Sequence, residues 1–341
     1  MLRKLLFIAI CFSCSFSSIK AQDAGVFSQF FAAPMQLNPA LTGGTFAPRI
    51  FMNYRNQWPS LNNAFVTYAV AYDQMVPDIN SAFGVSILSD VAGNGIYNTT
   101  SVNGSYAYMF KTSNDIYVKG GLEVGFTQIK LNWNELVFLD QLDPLTGRLD
   151  GAGNINPTNE TTPFSFNKIY PDFSAGMLVF NETFYGGMSV KHLNGPDESF
   201  LNDFNASPVP VRWTVHGGTQ INLRKNHRKY IEGTFISPNV MYVRQGAFQQ
   251  LNAGAYASTS SVFGGLWYRH AFGNPDAVIG MIGMKYYIFK IGYSYDYTIS
   301  QLSAQSNGAH EISVGINFEE DPNIRRKFRA RRYTDCFQMF R

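Results

Sequence analysis

The side chains able to do chemistry in this 341-residue chain are few and scattered. The five histidines, His192, His216, His227, His270 and His310, show none of the spacings that bring imidazoles onto one metal. The acidic stretch DQLDPLTGRLDG (140–151) is dense in carboxylates but breaks the calcium-loop pattern, so it reads as a solvated loop. GNG at 93–95 is a turn signal with neither a following helix nor a lysine, and no serine sits in a nucleophile elbow. Catalytic, cofactor and metal residues are therefore all unassigned, and an enzyme is the least supported class. One group does stand out, at the C-terminus. From Asn323 onward, Arg325, Arg326, Lys327, Arg329, Arg331, Arg332 and Arg341 face a single acid, Asp335, for a net charge of +6. Phe328, Tyr333, Phe337 and Phe340 are interleaved with them. Such a run is either a solvated tail or a docking segment for an acidic partner or an anionic wall or lipid surface.

The front of the chain says where that tail is delivered. In MLRKLLFIAICFSCSFSSIKA (1–21), Arg3 and Lys4 precede an apolar run from Leu5 to Phe16, and Ala21 closes the segment. That is the layout of a signal peptide, and the run is too short to span a membrane as a helix. Cys11 follows Ile10, and Cys14 lacks an aliphatic residue three positions before it, so lipidation is rejected. Removal of this segment leaves Cys336 alone, with no internal disulfide, and 24 basic against 24 acidic residues. A neutral exported chain carries no overall signature of nucleic-acid binding.

Strand periodicity supplies the elements. In KIGYSYDYTIS (290–300), Ile291, Tyr293, Tyr295, Tyr297 and Ile299 share one face, and Gly292, Ser294, Asp296 and Thr298 the other. The alternation recurs in IYVKGGLEVGF (116–126), WTVHGGTQINL (213–223) and ISVGINF (312–318). Looser runs, among them 229–237 and 240–257, bring the total to about fourteen. Short polar turns such as TSND alternate with longer connections such as 131–170, 193–211 and HAFGNPD. No run after residue 21 approaches the roughly 20 apolar residues of a membrane helix. With 19 Tyr, 29 Phe, 30 Gly and only 15% charged residues, the chain reads as all-β. The expected fold is a transmembrane outer-membrane β-barrel of about 14 antiparallel strands over 48–318. A soluble sandwich would also alternate, but would carry more charge on its open face. An even strand count puts both mature termini in the periplasm. The tyrosines then face lipid, and Lys119, Glu123, His216, Gln220 and Asp296 face the lumen. Residues 22–47, apolar, aromatic and broken by Pro34 and Pro39, are either a periplasmic lead-in against the barrel base or a plug or docking segment. Residues 319–341 form the basic periplasmic tail.

The blocks FSQFFAAPMQLNPALTGG (27–44), NYRNQWP (53–59), AGNG (92–95), GGLWYR (264–269) and YSYDYTISQLSAQSNGAHEISVGINF (293–318) resemble the PorP/SprF family. The first and last are the most specific; together with NYRNQWP they place Asn38, Pro39, Arg55, Trp58, Tyr295, Asp296, Tyr297, His310 and Glu311 among the family-motif residues. The resemblance runs from about 27 to 318, with the arginine-rich tail as an extension. It implies an outer-membrane protein of bacteria with type IX secretion, in many cases with gliding motility. One branch of the family associates with periplasmic secretion components that tie it to peptidoglycan and to the motor complex. The other serves a large surface adhesin as its cargo. A fourteen-stranded barrel like that of long-chain fatty-acid transporters is implied, with no catalytic residue and no cofactor.

The function expected from these readings is a non-enzymatic scaffold, anchor or cargo receptor of type IX secretion. Its partners would be secretion components, exported cargo and outer-membrane lipid. The alternative is a barrel for uptake of small hydrophobic molecules, against which the polar lumenal residues argue.

Overall fold

The structure is a computed structural model, and it describes residues 26–61, 65–112, 116–163, 165–200, 208–224, 234–272, 274–299, 307–321 and 324. The expected signal segment lies outside these residues, as do Arg325, Arg326, Lys327, Arg329, Arg331 and Arg332 of the tail. The strands are β1 (Arg49–Gln57), β2 (Phe65–Val76), β3 (Ser81–Ala92), β4 (Tyr97–Lys111), β5 (Tyr117–Leu131), β6 (Asn167–Phe180), β7 (Phe184–Lys191), β8 (Arg212–Thr219), β9 (Ile221–Arg224), β10 (Thr234–Gln245), β11 (Phe248–Ser258), β12 (Val262–Ala271), β13 (Asn274–Tyr286), β14 (Phe289–Thr298) and β15 (Ala309–Asn317). They form one sheet that closes on itself where β15 pairs antiparallel with β1. β8 and β9 pair with successive parts of β10 and are separated only by Gln220, so they make one stave. The closed antiparallel barrel therefore has 14 staves. Among the described residues no helix is long and apolar enough to cross a membrane; the crossing is made by strands.

The break between β8 and β9 has a cause on the facing strand. Registers Asn239↔Gly218 and Ile236↔Ile221 put it opposite Ser237 and Pro238, and a proline has no N–H to give the ladder. The runs expected at 229–237 and 240–257 are redistributed accordingly. β10 continues through Pro238 to Gln245, and the hairpin turns at 246–247, where Gly246 takes a φ of +56°. Proline looks like punctuation in the sequence, but the glycine is where the chain reverses. HAFGNPD is likewise no long loop, since only residues 272–273 separate β12 from β13.

The period of two decides what faces where. Asp296 is 1% exposed and its neighbour Tyr297 is 59% exposed. Lys119, Glu123, His216 and Gln220 are buried on the inner face, while Leu122, Val124, Phe126, Trp213, Val215 and Ile221 stand on the outside. One end of the barrel holds the start of β1 and the finish of β15, with tight turns such as 77–80, 181–183 and 287–288. The other holds the longest intervals between successive strands, 132–166, 192–211 and 299–308.

The space inside is filled by the residues before β1. They form short turns at Phe30–Ala32, Pro34–Leu37 and Pro39–Leu41. The prolines at the first positions of the last two supply a φ already suited to a helical turn. Val26 lies beside Thr214 and Val243, in the long-loop half of the lumen, and the segment descends to meet β1 at the short-turn end. Phe30, Phe31, Leu37, Ala40 and Leu41 join Tyr256, Phe263 and Trp267 in the main apolar cluster.

Candidate functional site: a filled lumen and its charged anchors

The upper anchor joins five strands of the wall to the inner segment. Arg55 on β1 faces Glu311 on β15, which in turn faces Ser294 on β14. Inward residues of adjacent strands thus form one belt, to which Asp296 and, from β12, Arg269 belong. Glu311 accepts the backbone N–H of Ser28 at one oxygen and that of Gln29 at the other, both at 2.9 Å. The Ser28 hydroxyl donates to Asp296 Oδ2 at 2.6 Å and accepts from Arg55 at 2.7 Å and Arg269 at 3.0 Å. Arg55 also reaches Glu311 at 3.1 Å and Asp296 at 3.0 Å, and Arg269 reaches Asp296 at 2.8 Å and pairs with Asp276. Gln29 is held by Ser294 and Ser313. Charges this deeply buried are tolerable only when paired and hydrogen-bonded, and here the pairing is completed by the inner segment itself.

Two further anchors hold the same segment lower down. Asn38 donates to the carbonyls of Met177 (3.1 Å) and Met188 (3.2 Å) and lies 3.1 Å from His216 Nε2. Its Oδ1 accepts from Ala40 N, capping the turn that Pro39 opens. The wall makes room for this turn with glycines. A Cβ on Gly121 would lie 2.3 Å from Ala40 N, and one on Gly176 1.9 Å from Asn38 Oδ1. At the short-turn end Arg49 pairs with Asp73 and donates to Leu41 O, and Asp73 accepts from Gly43 N at 2.6 Å. Lys119 donates to the carbonyls of Thr42 and Gly43. Many of these contacts grip the main chain of residues 28–43. Phe31 adds an apolar clamp, stacked on Trp267 at 5.9 Å and 5.2 Å from Tyr256.

The motif residues thus fall into three places. Arg55, Asp296 and Glu311 meet in the upper anchor, and Asn38 and Pro39 form the middle one. Trp58, Tyr295, Tyr297 and His310 lie outside the lumen near the long-loop rim. Trp58 donates its backbone N–H to Gly308 O and packs on Phe65. His310 Nδ1 lies 2.8 Å from the Tyr293 hydroxyl, and its ring 5.0 Å from that of Tyr295. Sequence reasoning passed over Ser28, Gln29, Arg269, Arg49 and Asp73 as site residues. The signal was present, since Arg49, Arg55, Asp73, Asp296 and Glu311 all fall on inward positions of a period-two pattern. Among the described residues no group of three His, Cys, Asp or Glu could hold a metal ion.

The 132–166 loop is an ordered unit despite its length. Asp143 accepts from the N–H groups of Leu145 and Thr146, Asp150 from those of Ala152 and Asn154, and Asp140 from Asn159 N and the Thr158 hydroxyl. These donors, led by the backbone N–H groups of Asn159, Leu145 and Asn154, hold the three carboxyls below their ordinary range. Gln141 and Asn156 bond reciprocally across the loop, and Trp133 packs on Phe138 and Phe166 at its base.

A family model described as "Type IX secretion system membrane protein PorP/SprF" matches residues 19–316. The comparison with curated proteins returned no match. Among solved structures, the outer membrane protein Omp33 of Acinetobacter baumannii is similar at 9% identity, with 80% of this chain and 98% of that chain covered and a TM-score of 0.42. BamA from Haemophilus ducreyi lacking POTRA domains 1–3 gives 9% identity, 80% and 70% coverage and a TM-score of 0.40. A TodX deletion mutant described as a monoaromatic hydrocarbon channel gives 8%, 79% and 87%, and 0.39. At these TM-scores none of the three bears on function.

Proposed function

Since the chain belongs to the PorP/SprF family of type IX secretion system membrane proteins, we propose that it acts as a scaffold and cargo receptor at the outer membrane rather than as a conduit. The observation that carries this reading is the occupied lumen. Residues 28–43 are bonded to inward side chains of β1, β2, β5, β7, β14 and β15, which leaves little room for an extended polypeptide. The same filling weighs against uptake of hydrophobic molecules through the barrel.

In this reading the short-turn end faces the periplasm, as in bacterial outer-membrane barrels generally. The basic tail, leaving after β15, docks there on secretion components or on the anionic peptidoglycan layer. The loops 132–166 and 192–211 face outward toward exported cargo. Val26, the first described residue, sits in the long-loop half of the lumen, so periplasmic docking is assigned to the C-terminal tail alone. No catalytic role is part of the proposal.

Deletion of the gene, followed by comparison of released and surface proteins with wild type, tests it. Joint loss of many secreted proteins would make the barrel part of the core machinery. Loss of one large surface protein would make it a dedicated receptor, with a bearing on gliding. An unchanged secretome would overturn the proposal.

A further inference from the structure

Two leucines on the 132–166 loop are almost naked. Leu139 is 88% and Leu145 95% exposed, and Val137, Leu142, Leu149 and Ile155 of the same loop are about half exposed. Leucines on an unstructured loop could fold away, but these are held out by a framework. The aspartates described above cap its turns, bridges join Asp143 to Gly147 and Leu149 to Ile155, and Arg148 donates to the carbonyls of Asn134 and Leu136. Displaying so much apolar surface on an ordered element costs free energy unless a partner covers it.

Charge identifies the partner. Residues 132–166 carry Glu135, Asp140, Asp143, Asp150 and Glu160 against Arg148 alone, a net charge of −4. An anionic lipid surface would repel this rim, whereas a basic polypeptide would be drawn to it. We propose that Leu139 and Leu145, on the loop that carries these carboxylates, form a docking knuckle for an exported polypeptide that offers an apolar recess bordered by Lys or Arg. This rests on the outward orientation of the long loops proposed above.

The test is photocrosslinking in living cells, with a photoreactive residue at position 145 of the full-length protein and a control at 194, an exposed position of the neighbouring loop. The Leu145 side chain is 95% exposed and the N–H that Asp143 accepts belongs to the backbone, so replacing the side chain leaves folding intact. The expected result is an adduct at 145 whose attached peptide contains Lys or Arg. Its yield should fall at least tenfold with L139S, and also at about 1 M salt, where screening shrinks to about 3 Å. Adducts to lipid or lipopolysaccharide, peptides without basic residues, or yields equal to those at 194 would overturn it. The secretome of the deletion strain separates the two proposals. An altered secretome without a polypeptide adduct at 145 removes the knuckle alone, and an adduct with an unchanged secretome removes the secretion role alone.

Discussion

Arg55 and Glu311 face each other across the seam where the last strand closes on the first, with Nη1 3.1 Å from Oε2. The pair closes the barrel and also binds its contents, because Glu311 accepts two main-chain N–H groups of the inner segment and Arg55 donates to the Ser28 hydroxyl. Wall and filling therefore share one set of charges, which makes them a single cooperative unit.

Breaking this pair should be costly and non-additive. Arg55→Met leaves Glu311 buried without its guanidinium and should destabilise the barrel by about 3–5 kcal/mol, whereas Glu311→Met leaves Arg55 paired with Asp296 and should cost less. The double variant should cost less than the sum of the two, by about 0.5–3 kcal/mol. Denaturant titration of all four proteins in micelles, followed by the gel shift between folded and unfolded barrel, measures the cycle. Additive losses would mean that the two side chains do not act together.

Gly121 offers a cleaner test of the middle anchor. Gly121→Ala puts a methyl against the Pro39–Ala40 backbone and should cost about 1–3 kcal/mol by overpacking. Gly120→Ala next to it meets nothing within 4 Å and should be neutral within about 0.5 kcal/mol. Equal stability of the two variants would show that the NPAL turn does not press on β5.

Some of this was legible in the sequence. Period-two patterning gave the strand number and the facing of Asp296, Lys119 and Glu123, because a strand with lipid on one side cannot place charge there. The pairing of Arg55 with Glu311 was not legible, since 256 residues separate them and register is fixed only when the barrel closes. Nor could FSQFFAAPMQLNPALTGG reveal whether it fills the lumen or lies beneath the barrel. That depends on Gly121 and Gly176, whose missing side chains are indistinguishable in sequence from ordinary flexible glycines.

The inner segment should also keep the barrel closed to ions. Reconstituted wild type is expected to show no steady conductance in a planar bilayer. Arg55→Ala with Arg269→Ala removes both guanidiniums that donate to Ser28 and should give fluctuating openings as the upper end of the segment loosens. A conducting wild type would mean that the lumen is not sealed.

The 132–166 loop should be acid-sensitive in one direction. Asp140, Asp143 and Asp150 have depressed pKa values in the folded loop. Their stabilising contribution is therefore fully present above the ordinary carboxylate pKa of about 3.9 and is lost as pH falls through the lower folded values. Cleavage within 132–166 by an acid-active protease should stay slow down to about pH 4 and accelerate below it. Asp143→Ala with Asp150→Ala should make the loop cleavable at neutral pH, whereas an unchanged rate would mean that these caps do not hold it.

The tail separates charge from shape. Deleting residues 323–341 removes a net charge of +6 while sparing every described strand, so the folded barrel and its gel shift should persist. What should fall is association with the periplasmic partner or the peptidoglycan sacculus. At roughly 1 kcal/mol for each basic residue held near an anionic surface, the loss should be orders of magnitude at low salt. Replacing Arg325, Arg326, Lys327, Arg329, Arg331 and Arg332 by Gln keeps Phe328, Tyr333, Phe337 and Phe340. If charge does the docking, this variant should bind as poorly as the truncation, and wild-type binding should weaken steeply with salt. Full binding by the Gln variant with loss only on truncation would hand the role to the aromatics. Full co-purification of partners by the truncated protein would leave the tail with no docking role.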